Sequence, residues 1–371
     1  MKLLRYMYSR VSEDLLLLAL LLGFALLMAM MPDAWHLVPQ LVEWHTIAIL
    51  AGLMVLSRGL EDSGALRRAG DWLLRRMPDE RRLALSMVLF AALLSAVVTN
   101  DVALFIIVPL TVALGGMAPL PVGRLVIFEA LAVNAGSAAS PIGNPQNLLL
   151  WQLSGDSFAV FFMAMLPIAG WMLVTLLLLT AFAFPARPVA LDQSGVRGPV
   201  RACLFRVSLL CYPAFLVLVE MGLIWWALAG ILTLFLLLWR DVLRGVDWLI
   251  LAIFVLMFVD LGLLAQLPVM AGVAEGLVAL PGAEMTGAAL LSQLISNVPA
   301  AIFLAAFSEQ WYGLAWGVNV GGFGLAIGSL ANLIALRLGR QRRLWLAFHA
   351  WSIPMLLFSL AGAYLLTAAR G

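Results

Sequence analysis

The chain has 371 residues, of which 64% are hydrophobic and 11% are charged, and its formal net charge at pH 7 is +2. Soluble domains average about 45–50% apolar and about 25% charged residues. This composition therefore excludes a water-soluble globular protein, and the small net charge gives no indication of a nucleic-acid partner. Membrane lipid is the expected surrounding.

Apolar segments recur along the whole chain, and each is long enough for a helical membrane crossing, which takes roughly 20 residues. Long continuous apolar runs favour helices over the alternating strands of a membrane barrel. The first run has a basic flank but no clear small-residue cleavage site, which indicates a retained helix rather than a secretory signal. The predicted spans are 15–31, 44–60, 124–153, 157–184, 203–220, 222–239, 247–265, 311–338 and 344–367.

Two further apolar segments, 83–114 and 284–308, carry polar residues at their centres and are predicted to be re-entrant hairpins. The fold class is therefore an all-α polytopic membrane protein with about nine full transmembrane helices, two re-entrant hairpins and two broken helices.

The positions of the basic residues predict the topology. With these spans, every Lys and Arg except Arg370 falls on one side of the membrane, and that side is the cytoplasm by the positive-inside rule. The expected protein is multi-pass in a bacterial inner membrane, with a cytoplasmic N-terminus and a periplasmic C-terminus. The segment Ser63–Arg76 is predicted to be a helix at the cytoplasmic interface, and the arginines of the linker at 185–200 are expected to face lipid headgroups.

An internal repeat joins the two halves of the chain. LSAVVTNDVALF from Leu94 aligns with LSQLISNVPAAIF from Leu291, and VNAGSAASPIGNPQNL from Val133 aligns with VNVGGFGLAIGSLANL from Val318. An odd number of crossings separates the copies, so the second copy is inverted in the membrane. The predicted division is a first repeat at 1–184 (hairpin 83–114, broken helix 121–153), a linker and connecting helix at 185–221, and a second, inverted repeat at 222–371 (hairpin 284–308, broken helix 311–338).

The polar interruptions of these helices are the candidate site. Non-helical backbone survives at membrane depth only inside protein or beside a water-filled cavity. Free carbonyls with Asn, Ser and Thr oxygens suit a small hard cation, and free N–H groups at helix N-termini suit an anion. The candidate substrate- and ion-binding residues are Thr99, Asn100, Asp101, Asn134, Ser137, Ser140, Gly143, Asn144, Asn147, Ser296, Asn297, Asn319, Ser329 and Asn332.

Sodium is the candidate metal ion, at Asn100, Asp101, Ser296 and Asn297, and sodium or a proton is the expected coupling ion; no other cofactor is expected. Asn144 and Ser329 are expected to cap the second half-helix of each broken helix. The alternative interpretation is that these small and polar residues make close-packing contacts between membrane helices.

Four other ionisable residues lie near or within the spans. Glu129 is expected either to pair with Arg124, five residues earlier, or to act in transport. Asp260 is a candidate proton site. His45 and His349 are single residues near helix ends, where interfacial packing is expected.

At TNDVALFIIVPL, NAGSAASPIGNPQNL, SNVPAAIFLAAF and GVNVGGFGLAIGSLANL the chain resembles the ion transporter superfamily. That group includes ArsB-type arsenite permeases, NhaD-type sodium/proton antiporters, citrate permeases and divalent-anion/sodium symporters, and the chain looks most like the small YbiR-like members. Asn100, Ser296 and Asn297 match the Ser-Asn-Thr tips of the symporters, whereas Thr99, Asp101 and Val298 depart from them. The resemblance implies a homodimeric scaffold with a transport domain that moves as an elevator.

The expected function is secondary active, cation-coupled transport of a small anion or oxyanion. The alternatives are sodium/proton antiport with Asp101 as the exchanged site, and arsenite-type export. An intramembrane enzyme is disfavoured because the polar breaks contain no Ser-His pair, no paired aspartates and no His-Glu zinc motif.

Overall fold

The computed structural model describes residues 15–42, 44–65, 68, 72, 76–77, 79–97, 99–189, 200–278, 283–305, 307–339 and 344–369. These residues are almost entirely helical, and their only β interaction is an isolated bridge between Asp79 and Pro188. The chain is an all-α polytopic membrane protein, as predicted. Most of the interface helix predicted at Ser63–Arg76, the central part of the 185–200 linker and the basic residues at 340–343 lie outside the described residues, as do those near both chain ends.

The α-helices are numbered here in chain order, and two short 3-10 helices, Pro32–Leu37 and Ala326–Gly328, lie between them. They are α1 (Leu15–Met30), α2 (Val38–Leu41), α3 (Trp44–Asp62), α4 (Glu80–Val97), α5 (Asn100–Gly115), α6 (Val122–Ser137), α7 (Pro145–Ser154), α8 (Phe158–Ala183), α9 (Ala202–Glu220), α10 (Ile224–Leu238), α11 (Arg240–Gly245), α12 (Leu249–Ala265), α13 (Pro268–Val278), α14 (Ala283–Ile295), α15 (Asn297–Leu304), α16 (Trp311–Val320), α17 (Leu330–Leu338) and α18 (Leu344–Ala368).

Each predicted hairpin and broken helix contains a pair of helices. The segments predicted as hairpins hold α4 with α5 and α14 with α15, and those predicted as broken helices hold α6 with α7 and α16 with α17. The short helices α2, α11 and α13 were not predicted, because an apolar pattern does not detect elements of one to three turns. The 3-10 helix at Pro32 and helix α13 at Pro268 begin with proline, whose fixed φ suits a first helical turn.

Three described helices are individually long and apolar enough to cross a membrane: Phe158–Ala183, Ala202–Val219 and Leu344–Ala368. The bent pair Pro32–Leu41 and Trp44–Asp62 gives a fourth if it is counted as one span. Leu17–Met30, Asn100–Gly115, Ile224–Leu238 and Leu251–Leu264 are apolar but shorter. The count of nine crossings remains a prediction.

The chain forms two compact units, one from residues 1–59 and 207–271 and the other from 60–206 and 272–371. In the first unit α1 packs against α12, where Leu27, Met28, Val259 and Leu263 belong to one buried cluster. Helix α3 lies close to α9, because a Cβ on Gly52 would overlap the ring of Phe215.

The second unit contains all four predicted interruptions. Its contacts come in pairs related by the sequence repeat: α4 packs on α6 as α14 packs on α16, and α5 packs on α17 as α15 packs on α7. Glycines permit the closest of these approaches. A Cβ on Gly136 would overlap the backbone carbonyl of Ala92, and a Cβ on the repeat-related Gly321 would lie 2.6 Å from Cβ of Ser292.

Candidate functional site

All of the predicted site residues lie in the second unit. They lie in or beside four places: the first tip (99–101), the second tip (296–298), the first break (138–144, between α6 and α7) and the second break (321–329, between α16 and α17). The five that lie beside a break, on the helices that flank it, are Asn134, Ser137, Asn147, Asn319 and Asn332. Their side chains are almost all buried, and Ser137, Asn147 and Asn332 are fully buried with 0% exposure.

The first tip satisfies its own helix terminus. Thr99 is the N-cap of α5, and its hydroxyl accepts a hydrogen bond from the backbone N–H of Val102 at 3.4 Å. Asn100 Oδ1 accepts one from the backbone N–H of Asp101 at 2.9 Å. The N–H of Asn100 donates to the carbonyl of Gly143 at 2.9 Å. The first tip is thereby bonded to the first break.

The second tip is built differently. Ser296 has φ 70°, and it is the only described residue other than glycine with a positive φ. Its hydroxyl forms no capping bond to α15. A non-glycine residue in this region is strained, and such strain clusters at functional sites. The second tip therefore differs from the first in both backbone conformation and capping.

In the first break, Asn144 caps α7 as predicted. Its Oδ1 accepts from the N–H of Asn147 at 2.9 Å, and Pro145 occupies the first turn. The side-chain amide of Asn147 donates to the carbonyls of Ala138 and Ser140, at 3.1 and 3.0 Å. Asn147 therefore bonds the carbonyl groups released at the C-terminal end of α6.

The second break is held in a related way. Asn332 donates to the carbonyl of Gly322 at 2.8 Å. Ser329 occupies the N-cap position of α17 but forms no capping bond; its hydroxyl donates instead to Asn134 Oδ1 at 3.0 Å. The expected capping role of Ser329 was therefore wrong, because a partner on α6 takes its hydroxyl.

Sequence reasoning missed two residues that hold the second break. Gln293 on α14 donates to the carbonyl of Gly321 at 2.8 Å and accepts from the N–H of Leu325 at 2.7 Å. His349 on α18 accepts from the N–H of Ala326 at 3.2 Å through Nε2, so it does more than pack at an interface. The sequence did contain one indication of this role, because Gln293 is a single glutamine within an otherwise apolar helical segment.

The two broken helices are joined by two matched sets of side-chain hydrogen bonds. Asn134 on α6 donates to Asn332 Oδ1 on α17 at 2.8 Å. The repeat-related Asn319 on α16 donates to Asn147 Oδ1 on α7 at 2.6 Å. Asn319 Oδ1 accepts from Asn144 at 3.0 Å, just as Asn134 accepts from Ser329. Each set links one half-helix of one repeat to the cap and first turn of the other repeat.

At the two breaks, the freed carbonyl groups have side-chain partners, whereas some backbone N–H groups have none among the described residues. Side-chain amides of Asn147, Asn332 and Gln293 bond the carbonyl ends. By contrast, backbone N–H groups at three helix N-termini have no hydrogen-bond acceptor in the described part of the chain. They belong to Gln146 of α7, Asn297 and Val298 of α15, and Leu330 and Ala331 of α17. Helix N-termini carry partial positive charge, so the open groups are suited to an anion.

Two carboxylates of the second unit concern the predicted site, Asp101 at the first tip and Glu129 on α6. Asp101 stands in the first turn of α5, and its buried Oδ1 has no hydrogen-bond partner among the described residues. Glu129 is fully buried and accepts a hydrogen bond from Thr111 Oγ1. Pairing with Arg124, one of the two alternatives for Glu129, was wrong, because the guanidinium of Arg124 donates instead to the carbonyl of Ala183. A role of Glu129 in transport stays a prediction.

Asp260 lies in the first unit, where it is 7% exposed and faces Gly23 of α1. Among the described residues no three His, Cys, Asp or Glu side chains form a cluster suited to a transition metal. The oxygen donors of the tips are of the type that a sodium ion would use.

Comparison with known proteins extends over most of the chain. Residues 11–316 match the family described as CitMHS, citrate transporter. The chain is 48% identical over 354 residues to the inner membrane protein YbiR of Escherichia coli, covering 95% of this chain and 94% of that protein. It is 33% identical over 306 residues to an uncharacterized transporter of Methanocaldococcus jannaschii, covering 81% and 82%. A stretch of 143 residues, 38% of this chain and 30% of the relative, is 32% identical to the silicon efflux transporter LSI3 of Oryza sativa subsp. japonica.

Proposed function

The chain belongs to the citrate transporter family CitMHS, within the superfamily that its tip and break motifs indicate, and from this premise we propose that it carries a small anion or oxyanion across the inner membrane in a cation-coupled step. The main support for this proposal is that the carbonyl groups and the N–H groups at the helix ends differ in whether they have hydrogen-bond partners. At the breaks the freed carbonyls are bonded by side-chain amides, while the backbone N–H groups of Gln146, Asn297 and Leu330 have no acceptor among the described residues. A solute with several negatively polarised oxygens is the natural partner of such groups.

The coupling cation is proposed to bind between the two tips. Asn100, Asp101, Ser296 and Asn297 offer carboxylate, amide and hydroxyl oxygens, which are hard donors suited to sodium. The unpartnered Oδ1 of Asp101 supports this assignment, since a carboxylate within a membrane protein usually marks an ion or proton path. Sodium bound there would offset the charge of the anion.

The proposed mechanism follows the superfamily. Two repeats of inverted topology, about nine crossings and two re-entrant hairpins would place the site at the repeat interface, near the middle of the bilayer. The second unit, which contains every candidate residue, would be the moving domain, and the first unit the scaffold and dimer contact. The matched bonds Asn134 to Asn332 and Asn319 to Asn147 support the repeat part of this proposal.

Sodium/proton antiport, with Asp101 exchanging the two ions, is the second candidate, and the unpartnered Asp101 carboxylate supports it as well. Export of a small neutral oxyacid, of the arsenite type, is the third. It is favoured by the partial similarity to a protein named as a silicon efflux transporter.

The test begins with a thermal-shift screen of the purified protein against small carboxylates and oxyanions, with and without sodium, because a bound ligand raises the midpoint by mass action. Uptake of the best ligand into proteoliposomes is then measured under a sodium gradient or a proton gradient. We expect sodium-driven uptake, abolished in Asp101→Asn and unchanged in Asp33→Asn, a control at an exposed aspartate of the first unit.

The outcomes separate the candidates. Sodium-driven uptake that persists in Asp101→Asn would show that Asp101 is not the cation ligand. Sodium flux against protons without any anion would support antiport. Solute flux independent of both gradients would refute secondary transport coupled to a cation.

A further inference from the structure

A second polar site lies away from the tips and breaks, at the C-terminal end of α8. An open pocket of about 820 Å³ lies there between the start of α4, the residues that precede α6 and the segment that follows α8. Arg81, Arg124 and Arg187 all line it, and Glu80 is the one acidic residue among the described residues of its lining. None of these three arginines forms a salt bridge with a carboxylate in the part of the chain that the structure describes.

Two of the arginines are held in place by the helix end. Arg81 Nε donates to the carbonyl of Phe184 at 2.9 Å, and Arg124 Nη1 donates to that of Ala183 at 2.7 Å. The cation of Arg124 also lies 5.6 Å from the centre of the Phe184 ring and 6.0 Å from that of Trp351. A guanidinium has five N–H groups, so each side chain is fixed by one bond while its other donors remain available.

The simpler explanation is a structural one, in which these arginines only cap the negative C-terminal end of α8. It accounts for Arg81 and Arg124 but not for Arg187, whose exposed side chain reaches the same pocket without bonding a helix carbonyl. The backbone carbonyl of Arg187 accepts from the N–H of Glu80 at 2.9 Å, and the neighbouring Pro188 pairs with Asp79. That backbone pairing fixes Arg187 beside the start of α4, at the same pocket as the other two arginines.

The surface beside the pocket is apolar. Val174, Leu178 and Phe182 follow one another at four-residue spacing on α8, with 57%, 68% and 85% of their side chains exposed. Residues four apart share one face of a helix, so these three form a continuous apolar stripe that ends at Phe182, which itself lines the pocket. A basic pocket at the end of an apolar stripe matches a molecule with a phosphate head and a hydrocarbon chain.

We propose that this pocket binds a phosphate group, presented by the headgroup of an anionic membrane lipid whose acyl chain lies along the apolar stripe. Arginine is suited to phosphate because its planar fork can donate two parallel hydrogen bonds. Basic pockets on the cytoplasmic side of membrane proteins recognise anionic headgroups in this way. A free phosphate ion shares the headgroup chemistry but leaves the stripe unused. The assignment is independent of the transported solute.

The experiment measures the thermal midpoint of the detergent-purified full chain during titration with phosphatidylglycerol, phosphatidylcholine or inorganic phosphate. The test variants are Arg187→Gln, whose side chain has no structural bond in the described chain, and Arg81→Gln. Arg82→Gln is the matched control, because Arg82 adjoins Arg81 but pairs with Asp79 at 3.5 Å and does not line the pocket.

We expect phosphatidylglycerol to raise the midpoint of the wild type and of Arg82→Gln, and phosphatidylcholine not to do so. In Arg187→Gln and Arg81→Gln the apparent affinity should fall by about tenfold, the loss expected for one hydrogen bond to a charged group. Stabilisation by inorganic phosphate that is equal to that by the lipid, and lost in the same variants, would keep the phosphate site but make its source the free ion. Equal stabilisation of all variants by phosphatidylglycerol, or stabilisation by neither phosphate source, would overturn the proposal. If Arg81→Gln does not fold, Arg187→Gln alone decides.

Discussion

The matched asparagine bonds between the two repeats can be tested by a double-mutant cycle. When Asn134 is replaced by alanine, two side chains of the second repeat lose a hydrogen bond, namely Asn332 through Oδ1 at 2.8 Å and Ser329 through its hydroxyl at 3.0 Å. Both partners are buried, with 0% and 1% exposure. The bonds of Asn134 to the carbonyls of Ala130 at 3.1 Å and Gly322 at 3.4 Å are lost as well. Side-chain hydrogen bonds inside membrane proteins contribute about 0.6 kcal/mol on average and about 1.7 at most, whereas an orphaned buried group costs about 1–3 kcal/mol. Asn134→Ala should therefore lower the free energy of unfolding by about 1–4 kcal/mol.

The cycle isolates the direct bond. Asn134→Ala, Asn332→Ala and the double variant are unfolded reversibly with a denaturing detergent in micelles, and tryptophan fluorescence reports the folded fraction. We expect a coupling free energy of about 0.6–1.7 kcal/mol between these positions. The repeat-related pair Asn319 and Asn147 should give a similar value, because its bond is the counterpart of the first.

Asn134 with Asn147 is the control pair. Both belong to the first repeat and both are buried, but no hydrogen bond joins their side chains. Their effects should add to within about 0.5 kcal/mol. A coupling of Asn134 to Asn147 as large as that to Asn332, or no measurable coupling to Asn332, would refute the two-set network.

Two further predictions concern the backbone of the second unit. Gly136→Ala should lower the free energy of unfolding by about 1–3 kcal/mol, because the added Cβ overlaps the Ala92 carbonyl and overpacking has this cost. The control is Gly170→Ala on α8, where the space around the glycine is open; it should raise the free energy of unfolding by less than about 1 kcal/mol. Equal effects of the two substitutions in chemical unfolding would contradict the close approach of α4 and α6. At the second tip, Ser296→Gly should be more stable than Ser296→Ala by about 1 kcal/mol, because glycine adopts this positive φ without strain. At Thr99, where φ is −73°, glycine should give no such advantage, and the same ordering at both tips would show that Ser296 is not strained.

Much of the fold could be predicted from the sequence because membrane helices are marked by local signals. Apolar length located the helices to within a few residues, and the repeated Gly, Ser and Asn clusters located all four interruptions. Asn144 could be predicted as a cap because its type and the following Pro145 are a local signature of a helix start. Short helices such as α11 escaped because six residues, Arg240–Gly245, are too few for a periodic pattern.

The hydrogen-bond partners of the site side chains could not be predicted, because they depend on which residues the tertiary fold brings within bonding distance. Ser329 has the residue type of a cap, yet Asn134 Oδ1 lies within reach of its hydroxyl, and that contact depends on how α6 meets the second break. Glu129 and Arg124 are five apart on one helix, a spacing that does not bring side chains together as three or four does. Glu129 instead accepts a hydrogen bond from Thr111, and Arg124 donates one to the C-terminal end of α8.

The departures from symmetry are more informative about function than the symmetry itself. Both breaks are held by amide side chains, and asparagines of the two breaks bond one another, which suits a fixed frame. The tips differ: Thr99 caps α5 and is followed by Asp101, whereas Ser296 is strained, leaves the amides of α15 open and is followed by Asn297 and Val298. The first tip thus contributes a negative charge, and the second contributes backbone N–H groups that have no acceptor in the described part of the chain. In the function proposed here, the cation would bind between the tips with Asp101 as its charged ligand, and the anion would bind near the open N–H groups of α15. The attraction between these opposite charges would make the binding of each strengthen the binding of the other.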